Sequence, residues 1–483
     1  MKEILSLNQL SSLFPADFDE EKRAQAQTLF YRALALEAHR FYGGKMQTVP
    51  MVPVYGMNWF NVWYTPGVSA VSTHIRDNNS QSFVLSNRRN LVAVVSDSTR
   101  VLGDGDCTPP GGLGVMEGKS LLMKYLAGVD ATAICMDSRD KNGQPRAENI
   151  IQFVKMLQPG FGAINLEDIS QPNCYKVLDT LREECDIPVW HDDAQGTACV
   201  TLAGIINALK LADKTLPNCK IVLFGAGAAN TSIARLLTAS GALPQNMILF
   251  DEKGSLHRDR ADYRTNADFY PQWHWCRATN PHKILTPEEA FSGADIVIAL
   301  SKPGPDTLAP GWIARMAPKA IVFACANPVP EIYPCKAIEA GAFIVATGRG
   351  DFPNQVNNSI CFPSILKGTL SVAATKITDS MAITAARAIA AFAEKRGISP
   401  TNIIPNMMES DLFPRVAAEV AAQAQEENIA QLSKSKDEVY QQTKNDIAIS
   451  QKLLQCMQNQ EIIKPFPEKK IKEIAAKIIE KIR

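Results

Sequence analysis

Short apolar runs alternate with longer amphipathic stretches along residues 90–190. The apolar runs, which we predict to be buried strands, are Leu91 to Val95, Ala131 to Met136, Phe161 to Leu166 and Ile187 to Trp190. Helical patterns lie between them, for example at Met116 to Ala127 and Tyr175 to Cys185. Strands that alternate with helices are typical of a parallel sheet covered by helices.

A second series of the same kind follows a predicted helix at residues 197–212. Its predicted strands are Lys220 to Phe224, Met247 to Phe250, Ile296 to Leu300, Ala320 to Ala324 and Phe343 to Ala346. One intervening helix begins with a capping Thr286, Pro287 at the first helical position and Glu289 three residues after the cap. The expected fold class is therefore α/β, with two doubly wound domains and a helical C-terminal region.

The pattern becomes helical after Asn358, with alanine-rich runs near residues 372–395 and 416–428. In the tail, 429–483, isoleucines recur at helical spacing, so the chain is predicted to end in an amphipathic helix; they are Ile471, Ile474, Ile478 and Ile482. We predict an N-terminal domain at 1–198, a second domain at 199–370 and a C-terminal region at 371–483 that packs back on the first domain.

The composition is that of an ordinary globular protein, with 46% hydrophobic and 21% charged residues among 483. Lys plus Arg and Asp plus Glu both number 50, so neither nucleic acid nor an anionic membrane is an expected partner. No apolar run approaches the roughly 20 residues that span a bilayer. Residues 1–10 lack a signal-peptide core, and the 11 cysteines contain no CxxC pair. These features predict a cytoplasmic protein with reduced thiols.

A glycine turn follows the first strand of the second series, in the sequence KIVLFGAGAANTSIAR at 220–235. Glycines at this position allow a tight turn and let backbone N–H groups approach a pyrophosphate at the start of the next helix. The third fingerprint position holds Asn instead of Gly or Ala. The turn predicts a Rossmann dinucleotide-binding domain, with cofactor contacts at Gly225, Gly227, Ala228, Ala229 and Asn230.

An acidic residue, Asp251, ends the next predicted strand, 26 residues after Gly225. A carboxylate at that point can accept hydrogen bonds from both ribose hydroxyls, which favours NAD over NADP. The alternative is that Asp251 only caps a turn. NADP also stays possible, because basic residues that could bind a 2′-phosphate lie close in sequence at Lys253, His257 and Arg258.

Two acidic pairs follow neighbouring predicted strands: Glu167 with Asp168, and Asp192 with Asp193. Ligand sites in open α/β sheets lie beyond the carboxyl ends of the strands, so the four carboxylates should converge. Their mutual repulsion is relieved by a hard divalent cation with oxygen ligands, such as Mg²⁺ or Mn²⁺. Taken singly, each pair could be a helix cap. His191 is a further possible ligand, but an all-oxygen site suits these neighbours better.

Several longer motifs make the chain similar to the malic enzymes, and most to their compact bacterial and archaeal type. The similarity covers roughly residues 45–428, and its motifs stand in the family's order: WYTPGVS at 63–69, NLVAVVSDSTRVLG at 90–103, GVMEGKSLLMKYLAGVDA at 114–131, NLEDI at 165–169, HDDAQGTA at 191–198, GAGAAN at 225–230, ANPVPEI at 326–332 and NNSICFP at 357–363. The tail beyond about 429 has no counterpart that the motifs identify.

The resemblance implies a role for each matching residue. The family's metal ligands fall on Glu167, Asp168 and Asp193. The lysine that takes the proton from the substrate hydroxyl falls on Lys119, and the aspartate that supports it falls on Asp192. The tyrosine that protonates the product falls on Tyr64. The substrate arginine matches Arg100, and the two asparagines that contact substrate and nicotinamide match Asn327 and Asn358.

The activity that the resemblance implies is oxidative decarboxylation of (S)-malate to pyruvate and CO₂, with reduction of NAD or NADP and a divalent metal. The first domain would then hold substrate and metal, and the enzyme would be a homodimer or a larger homo-oligomer. Two alternatives stay open. A malolactic enzyme shares these motifs but releases lactate, and a regulatory homologue would be catalytically silent.

Overall fold

The computed structural model describes residues 13–483, except for the side chain of Glu20. Residues 1–10, from which the lack of a signal-peptide core was predicted, lie outside the described part. Along residues 13–483, no helix combines the length and apolar character needed to cross a membrane.

From residue 13 onward, four helices precede the first strand: α1 (Glu20–Tyr42), α2 (Phe60–Trp63), α3 (Val68–Asp77) and α4 (Ser82–Leu85). The long helix α1 begins at Asp19, whose carboxylate accepts a hydrogen bond from the N–H of Lys22, and ends at Gly43 in the left-handed conformation. Such a cap at each end satisfies backbone groups that a helix leaves unpaired.

The first sheet has four parallel strands in the order β2-β1-β3-β4. They are β1 (Leu91–Ser96), β2 (Asp130–Cys135), β3 (Ala163–Leu166) and β4 (Val189–His191). The helices of this part are α5 (Thr108–Gly111), α6 (Leu113–Ala127), α7 (Ala147–Leu157) and α8 (Asn173–Glu184). A parallel sheet needs such helical crossovers between successive strands, as the sequence predicted.

Helix α9 (Thr197–Ala212) leads to a six-stranded sheet with the order β10-β9-β8-β5-β6-β7. Its strands are β5 (Ile221–Phe224), β6 (Met247–Asp251), β7 (Gly254–Ser255), β8 (Ile296–Ala299), β9 (Ala320–Ala324) and β10 (Ala342–Thr347). Its helices are α10 (Ala228–Ala239), α11 (Ala261–Arg264), α12 (Tyr270–Ala278), α13 (Pro287–Phe291), α14 (Pro310–Ile313) and α15 (Pro334–Glu339). The short edge strand β7 pairs antiparallel with β6 and was not predicted.

Five helices complete the chain: α16 (Phe362–Ser371), α17 (Asp379–Lys395), α18 (Leu412–Glu426), α19 (Lys436–Asn459) and α20 (Glu468–Ile482). Helix α16 packs against α18 and against α6 of the first sheet. A core cluster that includes residues of α9, Trp190 and both sheets joins these elements.

The contacts divide the chain into two compact units, one of residues 48–447 and one formed by both chain ends, up to Gln47 and from Ala448. In the second of these, α1 packs on α20 through Phe30, Ile471 and Ala475. The α/β fold with two parallel-sheet regions and C-terminal helices is confirmed. The boundaries predicted for three domains stay a prediction.

Candidate active site

Two buried carboxylates and one half-buried carboxylate meet where β3 and β4 end. These strands pair directly, so Glu167 and Asp168 after β3 come next to Asp193 after β4. One ligand oxygen from each of the three lies within 4.8 Å of the others. His191 is outside this group, with its Nδ1 3.9 Å from an oxygen of Asp193. The convergence predicted from two strand ends is therefore present in the structure.

The protein satisfies this group of carboxylates only in part. The backbone N–H of Asp168 donates to Asp193 Oδ2 at 2.8 Å, but the buried Oδ2 of Asp168 has no hydrogen-bond partner. Burial, and then the charge of Asp193, raise the pKa of Asp168 to about 8, and burial also raises the pKa of Glu167. An orphaned carboxylate oxygen and oxygen-only donors at this spacing fit a hard divalent cation.

The amine of Lys119 on α6 lies beside the same carboxylates. Its Nζ is 2.9 Å from Glu167 Oε1 and also donates to Asp192 Oδ2, and it lies 4.6 Å from the ring centre of Phe362. Burial alone would lower the pKa of Lys119, but the charges of Asp192, Glu167 and Asp193 together raise it above its ordinary value. The lysine is therefore an ammonium group when the carboxylates carry no cation.

Asp192 is fully buried behind Lys119. Its Oδ1 accepts a hydrogen bond from Trp190 Nε1 at 3.1 Å, while Oδ2 accepts from the lysine. The carboxylate fits because Gly196 lacks a side chain, since a Cβ there would lie 2.0 Å from Asp192 Oδ1. Asp192 does not line the cavity described next, so it contacts the site through Lys119.

One cavity of about 850 Å³ joins the carboxylates to the glycine turn. Its lining includes segments that follow strands of both sheets, and many of the predicted site residues lie on its wall: Arg100, Lys119, Glu167, Asp168, Asp193, Gly227, Ala228, Ala229, Asn230, Asn327 and Asn358. The carboxylate group and the predicted dinucleotide contacts thus share one space. Four predicted residues are not on this wall: Tyr64, Asp192, Gly225 and Asp251.

The glycine turn has the shape that a dinucleotide needs. Gly225 has φ +106°, and a Cβ there would lie 2.3 Å from the carbonyl oxygen of Leu300. Gly227 caps α10 and has open space where a Cβ would stand. The backbone N–H groups at the start of this 12-residue helix are therefore open to a diphosphate in the cavity.

The hydrogen bonds of Asn230 explain why this position holds Asn instead of the Gly or Ala of the fingerprint. Its side-chain amide is buried and donates to the carbonyl oxygens of Phe224 at 3.2 Å and Gly225 at 2.8 Å. These hydrogen bonds connect the start of α10 to the end of β5, and Gly or Ala could not form them because neither has a side-chain donor. We therefore attribute a structural role to this side chain, in addition to its place on the cavity wall.

The carboxylate of Asp251 is bound by side chains from the segment that follows β7. Arg260 donates to both of its oxygens, at 3.0 and 2.5 Å, and Tyr263 donates to one of them at 2.7 Å. The Asp251 carboxylate is therefore already paired with Arg260 before any ribose could bind to it. Its predicted role in choosing NAD stays a prediction.

Tyr64 lies outside the cavity of its own chain, in a surface-exposed stretch. Its side chain is 70% exposed, at the end of α2. The resemblance implies that Tyr64 and Lys119 serve the same reaction, and the structure has Lys119 on the cavity wall and Tyr64 off it.

Two further groups escaped the sequence analysis. Lys302 follows β8 and lines the cavity, and the carboxyl-end rule applied to β8 would have found it. Glu331 is completely buried and binds the backbone after β8 and β9. It lies in the motif ANPVPEI, in which the family resemblance implied a role for Asn327 but none for Glu331.

Comparison with known proteins identifies the family behind this geometry. The family model for the malic enzyme N-terminal domain matches residues 43–182, and the model for the malic enzyme NAD-binding domain matches residues 194–425. The chain belongs to the malic enzyme family. Its curated relatives include both NAD-dependent and NADP-dependent malic enzymes.

Two curated relatives in the family illustrate the range of activities. An NAD-dependent malic enzyme of Geobacillus stearothermophilus is 43% identical over 80% of this chain and 78% of its own. A bifunctional malic/malolactic enzyme of Bacillus subtilis is 38% identical over 86% of this chain and 98% of its own.

Solved malic enzyme structures share the fold along most of the chain. The Entamoeba histolytica malic enzyme is 55% identical with a TM-score of 0.96, covering 99% of this chain and 98% of that one. The Pyrococcus horikoshii malic enzyme is 40% identical with a TM-score of 0.83, covering 92% and 99%. The tail beyond 429 therefore does have a counterpart, in the Entamoeba structure.

Proposed function

We propose that this malic enzyme oxidises (S)-malate at C2 and releases CO₂ and pyruvate, with NAD as its preferred acceptor and Mg²⁺ or Mn²⁺ as a required ion. One observation carries the proposal. Three carboxylates share a cavity with Lys119 and with the open glycine turn, and one of them, Asp168, has a buried oxygen without a hydrogen-bond partner. Acidic ligands, a basic amine and a dinucleotide site together suit a metal-assisted hydride transfer from a hydroxy acid.

Glu167, Asp168 and Asp193 are the residues that would hold the ion. A divalent ion bound there supplies Lewis-acid stabilisation of negative charge on the substrate oxygens, a contribution of several kcal/mol by general estimates. It would also offset the repulsion among the carboxylates, which Lys119 offsets only in part.

The remaining residues bind the substrate and move protons. Arg100, on the cavity wall, is placed to pair with a malate carboxylate through its guanidinium. Lys119 takes the proton from the C2 hydroxyl as hydride leaves C2, and Asp192 keeps the amine directed at the substrate. A cation among the carboxylates offsets the charges that raise the pKa of Lys119, which favours its neutral, basic form.

We propose that Tyr64 serves the site of a second copy of the chain, in a homodimer. The stretch around it exposes large apolar side chains, among them Met51 (72%), Tyr55 (75%) and Met57 (80%). Monomeric soluble proteins rarely expose contiguous apolar surface of this kind. A partner that covers this stretch would bury it and bring the phenol to a cavity that lacks a tyrosine on its wall.

Complementation between two inactive chains tests this arrangement. A heterodimer of Tyr64→Phe and Lys119→Ala chains, purified through two different affinity tags, has one site with both wild-type residues if Tyr64 acts across the dimer. It should regain about half of the wild-type turnover, because one of its two equivalent sites is intact. An inactive heterodimer, with both homodimers also inactive, would place Tyr64 and Lys119 in the same chain's site.

A malolactic outcome is the second candidate, since the Bacillus subtilis relative bears both activities in its name. Incubation with malate, Mn²⁺ and either NAD or NADP distinguishes the two. Net NADH with pyruvate supports the main proposal, whereas lactate without net NADH supports the second. Omission of Mn²⁺, with EDTA present, should abolish turnover, and full activity without the ion would contradict the metal requirement.

A catalytically silent homologue is disfavoured, because Lys119 and the acidic group lie together in the cavity. None of the 11 cysteines, all of which lie in the described part of the chain, forms a disulfide. That state suits the reducing cytoplasm in which we expect the enzyme to work.

A further inference from the structure

Glu331 is a buried acid that the chemistry above does not use. It lies in the segment between β9 and α15, and its side chain has no solvent exposure. Among the described residues, no lysine, arginine or histidine forms an ion pair with it; its recorded partners are all neutral. A buried charge without a counter-ion is costly, so its place in the fold calls for a physical reason.

The partners of Glu331 show what it joins. Oε1 accepts from the backbone N–H of Ser301 at 2.8 Å and from its hydroxyl at 3.2 Å. Oε2 accepts from the backbone N–H of Ala326 at 3.0 Å. Ser301 follows β8 and Ala326 follows β9, so a single carboxylate bridges the ends of two adjacent strands.

Both bridged segments form the wall of the active-site cavity. Ser301, Ala326 and the neighbouring Asn327 line it, as do the metal-ligand carboxylates on the opposite sheet. The strand order places β8 and β9 on the opposite side of β5 from β6, where Asp251 ends the strand. If Asp251 marks the adenosine half of the cofactor, the ends of β8 and β9 face the nicotinamide half.

We propose that Glu331 is a positioning residue for the nicotinamide: its carboxylate fixes the spacing of the segments after β8 and β9, and so holds the ring at transfer distance from malate C2. The inference rests on the proposed function, because it assumes that hydride passes between these two groups. A displacement of about 1 Å at a reacting centre can slow transfer by about 100-fold.

Glu331→Gln is the direct test, because it keeps the shape but gives one arm an NH₂ donor. The NH₂ group then faces a backbone N–H from which it cannot accept a hydrogen bond. The segment that carries this N–H is no longer held by residue 331. Exposed Glu339 on α15 provides the matched control, Glu339→Gln. The measurements are kcat, the deuterium isotope effect with [2-²H]malate, and the affinities for NADH and for ADP-ribose.

We expect Glu331→Gln to lower kcat by about 10- to 100-fold and to raise the isotope effect, because hydride transfer becomes the slower step. Affinity for ADP-ribose should stay within about twofold, while NADH binds several-fold more weakly. Glu339→Gln should change none of these. An unchanged isotope effect, or an equal loss of ADP-ribose and NADH affinity, would overturn the proposal in favour of a general structural role.

Ser301→Ala decides the question if Glu331→Gln does not fold. It removes the 3.2 Å hydroxyl bond and leaves the backbone bond in place. A raised isotope effect supports the positioning role, and a wild-type value overturns it. The comparison of NADH with ADP-ribose needs no malate, so it reports on Glu331 even if the wild-type enzyme proves to act on another substrate.

Discussion

The carboxyl ends of the two sheets both carry largely buried acids, but the hydrogen bonding of these acids differs between the sheets. Beyond the four-stranded sheet, Asp168 keeps an unpartnered oxygen and a pKa of about 8, close to Glu167 and Asp193. Beyond the six-stranded sheet, Asp251 is bound at both oxygens by Arg260, and Glu331 accepts from the backbone of two segments.

This difference separates two uses of a carboxylate. An acid whose hydrogen bonds are all made inside the protein fixes the position of neighbouring backbone or side chains. An acid with an unpartnered oxygen in a cavity keeps a cost of burial and repulsion that a bound cation relieves. The state of the hydrogen bonds, and not the presence of acids at strand ends, therefore indicates where a metal belongs.

The largest expected effect comes from Lys119→Ala, which removes the amine that bridges the unsatisfied group. We expect turnover to fall by about 10³-fold, within the usual range for a lost proton-transfer group. NADH affinity, followed by fluorescence titration, should remain near the wild-type value because the glycine turn is untouched.

Lys124→Ala is the matched control, since Lys124 lies on the same helix and pairs with Asp130 at 2.7 Å, away from the cavity wall. It should retain turnover within about twofold. Wild-type turnover in Lys119→Ala would show that the carboxylate group and its lysine are not the reacting site.

Asp168→Asn should have opposite effects on metal binding and on metal-free stability. Loss of one charged ligand should weaken Mn²⁺ binding by about 100-fold, judged by the 10- to 100-fold cost of even an outer-shell change. In EDTA the same change removes a carboxyl group that must take up a proton on folding at neutral pH, because its pKa is raised to about 8, so Tm should rise by about 2 °C. Electron paramagnetic resonance of free Mn²⁺ and differential scanning calorimetry measure the two.

Glu331→Gln gives the contrasting case, because it leaves a backbone N–H unsatisfied and should lower Tm in EDTA. Exposed Asp306 supplies the control, since Asp306→Asn should change neither quantity. A lower Tm for Asp168→Asn would mean that its carboxylate is stabilised by the fold, and the contrast between the two sheets would then fail.

Asp251→Ala should have the smallest effect, a change in cofactor preference. It removes the acceptor for the ribose hydroxyls and frees one side of Arg260 for a 2′-phosphate, so the ratio of kcat/KM for NADP over NAD should rise by about tenfold. Asp262→Ala removes the other acid on Arg260, at 2.8 Å, and should leave the ratio nearly unchanged. Equal ratios in both variants would remove Asp251 from the choice of cofactor.

The strands were predictable because parallel strands buried on both faces appear as continuous apolar runs. Leu91 to Val95 and Lys220 to Phe224 each match a strand of the structure to within one residue at either end. The run from Phe161 begins two residues too early, because a turn at Gln158–Gly160 delays β3 to Ala163. The two-residue β7 carries no such pattern and was missed.

The acidic group was predictable for a different reason. Its members directly follow β3 and β4, and adjacent parallel strands end at the same edge. The long-range partners were not predictable: no local pattern ties Asp251 to Arg260 and Tyr263, or Glu331 to Ser301 across 30 positions of the chain.

The sequence by itself determined the two βα series, the glycine turn and the acids at the strand ends, since each depends on neighbours within a few positions of the chain. Only the tertiary structure decided which acids are satisfied, that the Asn230 amide binds the end of β5, and that Tyr64 lies off the cavity wall that Lys119 lines. Hydrogen bonding and burial depend on groups distant along the chain, and folding alone brings those together.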